Sequence, residues 1–263
     1  MKQYFLSSVL LVLGIMSANA FGRTGHAAIA YIAECNLTPA AKANIEKYLG
    51  GHSIVEYASW LDEIRKTPEY KHTDGWHSAD VDSLGRWVEG VKKHRAVYGL
   101  ETEMAKLQNR EEMTDSAIAV SIKVITHVVG DMHCPCHTFL PGKSQNRYFT
   151  INGNKYKFHH FWDEDIFVIG HNWDYKDYAT HLDTLTEEQK AELAGGTFRE
   201  WVEENGRYLS HLYDVLRPDT VFSPGDSKDF VDHATAVADH QILISSYRLA
   251  RVLNSLFDPA YNR

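Results

Sequence analysis

Two histidines in this chain are followed by an aspartate four residues on: His127 by Asp131, and His159 by Asp163. On a helix that spacing stacks both side chains on one face, where they can grip one ion. A capping or surface hydrogen bond is the plain alternative for either pair, so the surroundings decide. His127 and Asp131 close an apolar run of Ile118, Val120, Ile122, Val124, Ile125, Val128 and Val129. An unpaired charge there is costly. No Lys or Arg stands one turn before Asp131, whereas His127 does, which favours a bound metal over a salt bridge. His137 follows once Pro135 has ended the helix, and His159 with Asp163 makes a plausible second cluster. Imidazole and carboxylate are donors that suit zinc.

Helical periodicity dominates the elements that must position these groups. Ala27, Ala28, Tyr31 and Ile32 form the expected buried face of a first helix, and Thr38-Pro39 reads as a cap with Pro at the first helical position of the next. Helices are expected over Ile54–Lys66, Asp115–Met132 and Thr197–Leu216. In the last helix Val231, Ala234, Ala238, Ile242, Ser245, Leu249, Val252 and Leu256 recur at spacings of three and four, the stripe of a core-facing surface. Only Arg147–Phe158 alternates, with β-formers on both sides of Asn152-Gly153, a two-residue hairpin turn. The expected fold is a single, mainly α domain carrying one small β-hairpin.

The 263 residues are 44% hydrophobic and 24% charged, ordinary globular usage that excludes a low-complexity or largely disordered chain. With 27 Lys and Arg against 35 Asp and Glu, bulk electrostatics would not hold a polyanion. Fifteen His is high for this length. Residues 1–20 read as a secretory signal: basic Lys2, an apolar stretch from Phe5 to Met16, and the small-x-small site Ala18-Asn19-Ala20. The expected mature chain is residues 21–263, secreted or periplasmic, without stable membrane insertion and monomeric. Its 26 basic against 35 acidic residues give a net charge of −9. Cys35, Cys134 and Cys136 are an odd number, which excludes a disulfide scaffold.

Six segments in order carry a resemblance: Phe21-Gly-Arg-Thr-Gly-His26, Ala58-Ser-Trp-Leu-Asp62-Glu-Ile-Arg65, Trp76-His77-Ser-Ala-Asp80, His127-Val-Val-Gly-Asp131-Met-His-Cys-Pro-Cys-His137, Lys157-Phe-His159-His-Phe-Trp-Asp163 and Tyr247-Arg-Leu-Ala-Arg-Val-Leu-Asn254. Together they span the mature chain, and it resembles the class I nucleases, the zinc-dependent, single-strand-specific nucleases of fungi, plants and bacteria. The resemblance implies a helical domain holding three zinc ions in a cleft. Asp62, His77, His127 and Asp131 would hold the first, and His137, His159 and Asp163 the second. His26, the bridging Asp131, and the amine and carbonyl of Phe21 would hold the third, so the third site is complete only after cleavage at Ala20. Zinc lowers the pKa of bound water towards about 7, which suits phosphodiester hydrolysis near neutral pH. Arg65 would neutralise the phosphate and Asp62 would orient the attacking water. The implied substrates are single-stranded DNA and RNA, cut to 5′-phosphorylated products, with 3′-nucleotides as a further substrate.

Four positions depart from the family pattern. Phe21 replaces a usual Trp, and Ser78 stands where an aromatic commonly stacks on a nucleobase, although Asp80 keeps the carboxylate that reads the base edge. The usual Gly-Gly-Asn before the hairpin is reduced to Lys143-Ser-Gln-Asn146, leaving Asn146 as a substrate contact. Cys134 and Cys136 replace Gln and Leu. The string His133-Cys-Pro-Cys-His137 has the composition of a soft-metal site, with packed thiols or a local disulfide as the plainer readings. The pairs Asp232/His233 and Asp239/His240 read as a solvated helix face, and His94, His171 and His211 as surface or capping residues. Asn36-Leu-Thr38 is a formal glycosylation sequon. Two other functions compete: a zinc-dependent phospholipase C, which resembles this family in fold but typically has Glu where Asp163 stands, and a non-catalytic zinc-binding protein.

Overall fold

A computed structural model describes residues 21–89 and 95–261; residues 1–20, expected to be a leader, and His94 lie outside the described residues. The chain opens on α1 (Gly22–Cys35), whose deepest face is Ala28, Ile29, Ile32 and Ala33. Tyr31, expected on that face, is half-buried and meets Tyr175 edge-on. Thr38 caps α2 (Pro39–Tyr48), its hydroxyl accepting from the Ala41 N–H.

The stretch expected as one helix from Ile54 divides into a 3-10 turn, Ile54–Tyr57, and α3 (Trp60–Ile64). Ser53 and Glu56 cap the first turn reciprocally. The break between them carries Ala58, whose carbonyl oxygen lies 2.8 Å from His127 Nδ1. After α4 (Ala96–Gln108) comes α5 (Asp115–His133), capped by Thr114 and ending one residue beyond its expected bound. A short α6 (Phe158–His160) runs through a π-turn, Phe161–Asp165, into α7 (Ile166–Ile169). Then follow α8 (Tyr175–Leu182), α9 (Glu187–Leu193), α10 (Phe198–Val215) and α11 (Pro224–Phe257).

Helix α11 packs on α1 and α5, α1 also on α8, and α4 on α5. The apolar stripe of α11 faces the core as its spacing implies. Nine of the ten residues from 241 to 250 are buried, so the helix is enclosed on every side there rather than on one face. Its polar residues are satisfied locally. Ser245 and Ser246 donate to the Ile242 carbonyl at 2.9 and 2.6 Å, and Arg248 meets Glu204 at 2.6 Å and His133 Nε2 at 2.8 Å.

The expected hairpin forms as β3 (Tyr148–Ile151) and β4 (Asn154–Lys157), with Asn152 and Gly153 at φ 48° and 79°. Both residues are left-handed, as a type I′ turn requires. Three two-residue strands were not expected. β1 (Ala79–Asp80) and β2 (Thr138–Phe139) pair in parallel, Ala79 opposite Thr138, and β5 (Thr220–Val221) extends the hairpin beside β3. The β1–β2 pair fastens the His77 segment to the segment that follows His137.

Three surface readings change. His171 Nε2 lies 2.8 Å from half-buried Asp239 and its ring stacks on Trp173, so Asp239 belongs to a packed pair, whereas Asp232, His233, His240 and His211 are exposed. Asn36 donates to Ile32 O and Asp183 Oδ2, both at 2.8 Å, and accepts from Lys190 Nζ. Its amide is therefore engaged on both sides, and the sequon is not a free acceptor.

Candidate metal centre

Asp131 is the hub of the cleft, fully buried near the C-terminal end of α5. Its two oxygens face different partners. Oδ1 lies 3.1 Å from His26 Nε2, while Oδ2 lies 2.8 Å from His77 Nδ1 and 3.1 Å from His127 Nε2. Asp62, from α3, closes the group at 3.5 Å from His77 and 3.7 Å from His127. The His26 ring stacks on His127 with centroids 4.1 Å apart. It fits there because the α5 residue beneath it is Gly130, where a Cβ would stand 2.9 Å from His26 Nδ1.

A second group lies beside the first. His159 Nε2 is 3.1 Å from Asp163 Oδ2, the i,i+4 pair carried across the π-turn, and His137 Nε2 is 3.8 Å from Asp163 Oδ1. Single-turn π-bulges recur at functional sites. The Phe21 nitrogen, at the start of α1, lies 3.2 Å from Asp163 Oδ1, and the Phe21 ring is wholly buried against Phe167.

Several rings are aimed by carbonyl oxygens. His127 Nδ1 faces Ala58 O, His137 Nδ1 faces His77 O, and His159 Nδ1 faces Gln145 Oε1 at 3.1 Å. Each carbonyl accepts a proton from Nδ1 and so leaves the Nε2 lone pair pointing inward, the outer support usual for metal-binding imidazoles. Gln145 is a site residue that the sequence reading missed beside Asn146. Asn146 is exposed and is not among the residues lining the neighbouring cavity.

The polar atoms that converge here are buried without hydrogen bonds: His26 Nε2, both oxygens of Asp62, His77 Nε2, Asp131 Oδ1, His137 Nε2 and Asp163 Oδ2. Buried polar groups are ordinarily satisfied, so this concentration needs a partner of another kind. The donor set is that of zinc, and the residues fit a metal. Burial disfavours a charged His127, yet Asp131 and Asp62 outweigh it and hold its pKa up to about 9. For Asp131, burial is likewise overcome, by His127 and His137, which hold its carboxyl well below the usual range. Without an ion the cluster is thus a set of mutually dependent charges.

Arg65 and Arg95 line a cavity of about 240 Å³ in front of both groups, together with Ser78, His137, Phe139 and His159. Arg65 Nε is buried without a hydrogen bond, 3.6 Å from Asp62 Oδ1. Arg95 was not foreseen. Its fork takes both oxygens of Asp80, at 2.8 and 3.1 Å, it also bonds Ser78 Oγ, and it stands over the Phe139 ring. Asp80 is therefore already paired.

The soft-metal reading of His133-Cys-Pro-Cys-His137 does not hold. His133 turns away, its Nδ1 2.7 Å from Val129 O and its Nε2 against Arg248. Burial, then the Arg248 charge, pushes its pKa down to about 3. Cys134 and Cys136 are free thiols whose sulfurs lie 3.2 Å apart. Burial pushes the Cys136 thiol well up. Cys136 nonetheless sits with His137, His159 and Asp163.

Among curated proteins the chain is 23% identical over 185 residues to endonuclease 5 of Arabidopsis thaliana, covering 63% of this chain and 62% of that protein. It is 24% identical over 155 residues to nuclease S1 of Aspergillus oryzae, covering 56% and 54%. To nuclease P1 of Penicillium citrinum it is 26% identical over 153 residues, covering 54% and 57%. The matched region thus spans somewhat more than half the length of these relatives. The family model described as S1/P1 nuclease matches residues 21–258, nearly the whole chain, and begins at Phe21, the N-cap of α1. The chain belongs to the S1/P1 nuclease family.

Proposed function

We propose that this chain is a secreted or periplasmic, zinc-dependent phosphodiesterase. It cleaves single-stranded DNA and RNA to 5′-phosphorylated products and dephosphorylates 3′-nucleotides. The observation that carries the reading is the run of buried donor atoms without hydrogen bonds, collected from five separate segments behind one cavity. Three zinc ions would be held, by Asp62, His77, His127 and Asp131; by His137, His159 and Asp163; and by His26, Asp131 and the amine and carbonyl of Phe21. Bound zinc supplies Lewis acidity and brings the pKa of water towards about 7.

The chain's own residues do the rest. Arg65 offers a buried Nε without a hydrogen bond to the phosphoryl oxygens, where a fixed cation offsets charge gathering on phosphorus. Asp62, behind it, holds the guanidinium and orients the attacking water. Arg95, paired with Asp80, adds a second guanidinium to the lining of the same cavity. Cleavage after Ala20 turns the Phe21 amide into an amine, so export and completion of the third site are one event. The start of the family match at residue 21 supports this. Among the described residues no helix is long and apolar enough to cross a membrane; that the protein is released as a monomer is part of the same proposal.

The test pairs metal analysis with activity on protein whose first residue is verified as Phe21. About three zinc per chain, with chelator-sensitive release of acid-soluble nucleotides from single-stranded DNA or RNA, is the expected result. Zero or one zinc would overturn the metal assignment. Full metal with phosphatidylcholine hydrolysis and no nucleotide release would replace the nuclease by a phospholipase.

A further inference from the structure

We infer that Cys136 is a metal ligand, so that the second site has four protein donors, Cys136, His137, His159 and Asp163, rather than three. This rests on the metal reading above and goes beyond it, since a leucine at this position could donate nothing.

Four observations carry the inference. The Cys136 sulfur, a nitrogen of each histidine and an Asp163 oxygen all lie within 4.8 Å of one another. The spacings Cys136 Sγ to Asp163 Oδ1, 2.9 Å, His159 Nε2 to Asp163 Oδ2, 3.1 Å, and His137 Nε2 to Asp163 Oδ1, 3.8 Å, bracket what one tetrahedral ion would impose. Zinc bonds of about 2.0 Å to nitrogen or oxygen and about 2.3 Å to sulfur put neighbouring donors roughly 3.3–3.6 Å apart. Cys136 also lines the same cavity as His137 and His159, with its side chain wholly buried. Finally, His137 Nε2 and Asp163 Oδ2 are buried without hydrogen bonds, and a bound metal would satisfy both.

The local backbone explains how a residue next to His137 reaches the same ion. Pro135 ends α5 and starts a single 3-10 turn, Pro135–His137, which presents Cys136 and His137 beside the π-turn carrying Asp163. Without metal the Cys136 S–H donates to Asp163 Oδ1. On binding, that proton leaves to solvent as the sulfur–metal bond forms, with no redox change. Cys134, 3.2 Å from the Cys136 sulfur, then points its S–H at the thiolate as a positioning residue and is not itself a ligand.

The chemical consequence is a second site with as many protein donors as the first. Four protein donors are the mark of a closed zinc site, whereas catalytic sites keep a position open. The second metal here is therefore held more tightly and offers less to substrate than a three-donor site would.

Cobalt(II) substitution reads this directly, because a thiolate bound to cobalt gives an intense near-ultraviolet charge-transfer band that imidazole and carboxylate do not. The protein is prepared from Phe21 in a Cys35→Ser background, since Cys35 is exposed and could bind cobalt by itself. Titration with cobalt is expected to raise the band in step with one equivalent. Cys136→Ala is expected to bind cobalt at the other positions and lack the band, and Cys134→Ala to keep it. Cobalt bound stoichiometrically without the band in the Cys35→Ser protein overturns the Cys136 assignment and leaves the nuclease reading standing. Failure to bind cobalt or zinc at all overturns both. Because the principal measurement is made on the unsubstituted site, it does not depend on the Cys136→Ala protein folding.

Discussion

Gly130 shows how narrowly single residues are specified here. It is followed directly by the hub carboxylate, and the His26 ring lies where its side chain would be, 2.9 Å from a built Cβ. Gly130→Ala must push that ring away from Asp131. We expect a loss of about 1–3 kcal/mol in chemical denaturation, as for other overpacked sites, together with the loss of one bound metal. Unchanged metal content would show that His26 is not held through this contact. Arg95 makes a different case. Its fork neutralises Asp80, it bonds Ser78, the residue after His77, and it stands over the Phe139 ring. A cation in that position favours a phosphate or a base edge rich in acceptors. Arg95→Ala is expected to raise KM for single-stranded DNA about tenfold, the size of one lost charged hydrogen bond, with metal content and kcat little altered. An unaltered KM would remove Arg95 from the substrate wall.

At the scale of elements, the pieces that hold the site are the ones whose sequence conflicts with simple periodicity. Helix α5 was legible almost to the residue, because its cap, its apolar run and its terminating Pro135 all agree. The break at Ala58 was not, since Ile54–Lys66 carries a helical pattern throughout and only the reciprocal cap of Ser53 with Glu56 marks a separate turn. Strands β1 and β2 were invisible for another reason. Two-residue strands have no period and exist only because α5 and the His77 segment meet. The candidate donors could be named from two His/Asp pairs at a spacing of four, from His137 after Pro135 and, for His26, Asp62 and His77, from the family resemblance, whereas Arg95, Gln145 and the reach of Cys136 depend on how distant segments face one another. The Tyr247–Asn254 motif is also clarified, for it touches no donor. Tyr247 donates to Asp183 at 2.7 Å, while Asn254 accepts from the Thr38 N–H at 2.8 Å and donates to Asn36 O at 3.1 Å. It clamps the α1–α2 turn onto α11. Asn254→Ala leaves those backbone groups unpaired in a largely buried place and is expected to cost about 1–3 kcal/mol of stability with metal content unchanged. A stability equal to that of the parent, measured by denaturant titration, would dismiss the clamp.

For the molecule as a whole, the acidic balance and the proposed substrate pull in opposite directions. A chain with a formal net charge of −8 repels a polyanion at long range, yet the cavity wall in front of the donors carries Arg65 and Arg95. Three divalent ions would add six positive charges at its base, so the field that a phosphate meets reverses over a short distance. Screening in physiological salt acts over about 8 Å, which weakens the outer repulsion and leaves contacts inside the cleft largely intact. Attraction is then local and uses few phosphates. Each phosphate neutralised on a single strand contributes about 0.7 to the slope of log affinity against log salt. Arg65, Arg95 and the scissile phosphate at the metals make three contacts, or a slope of about −2. Measured on a single-stranded oligonucleotide at fixed pH and saturating zinc, log KM is accordingly expected to rise with log salt at about that slope or less. A slope of about 4 or more would require a basic groove extending well beyond the cavity. That result would shift the source of affinity from the metal centre to the surface of the protein.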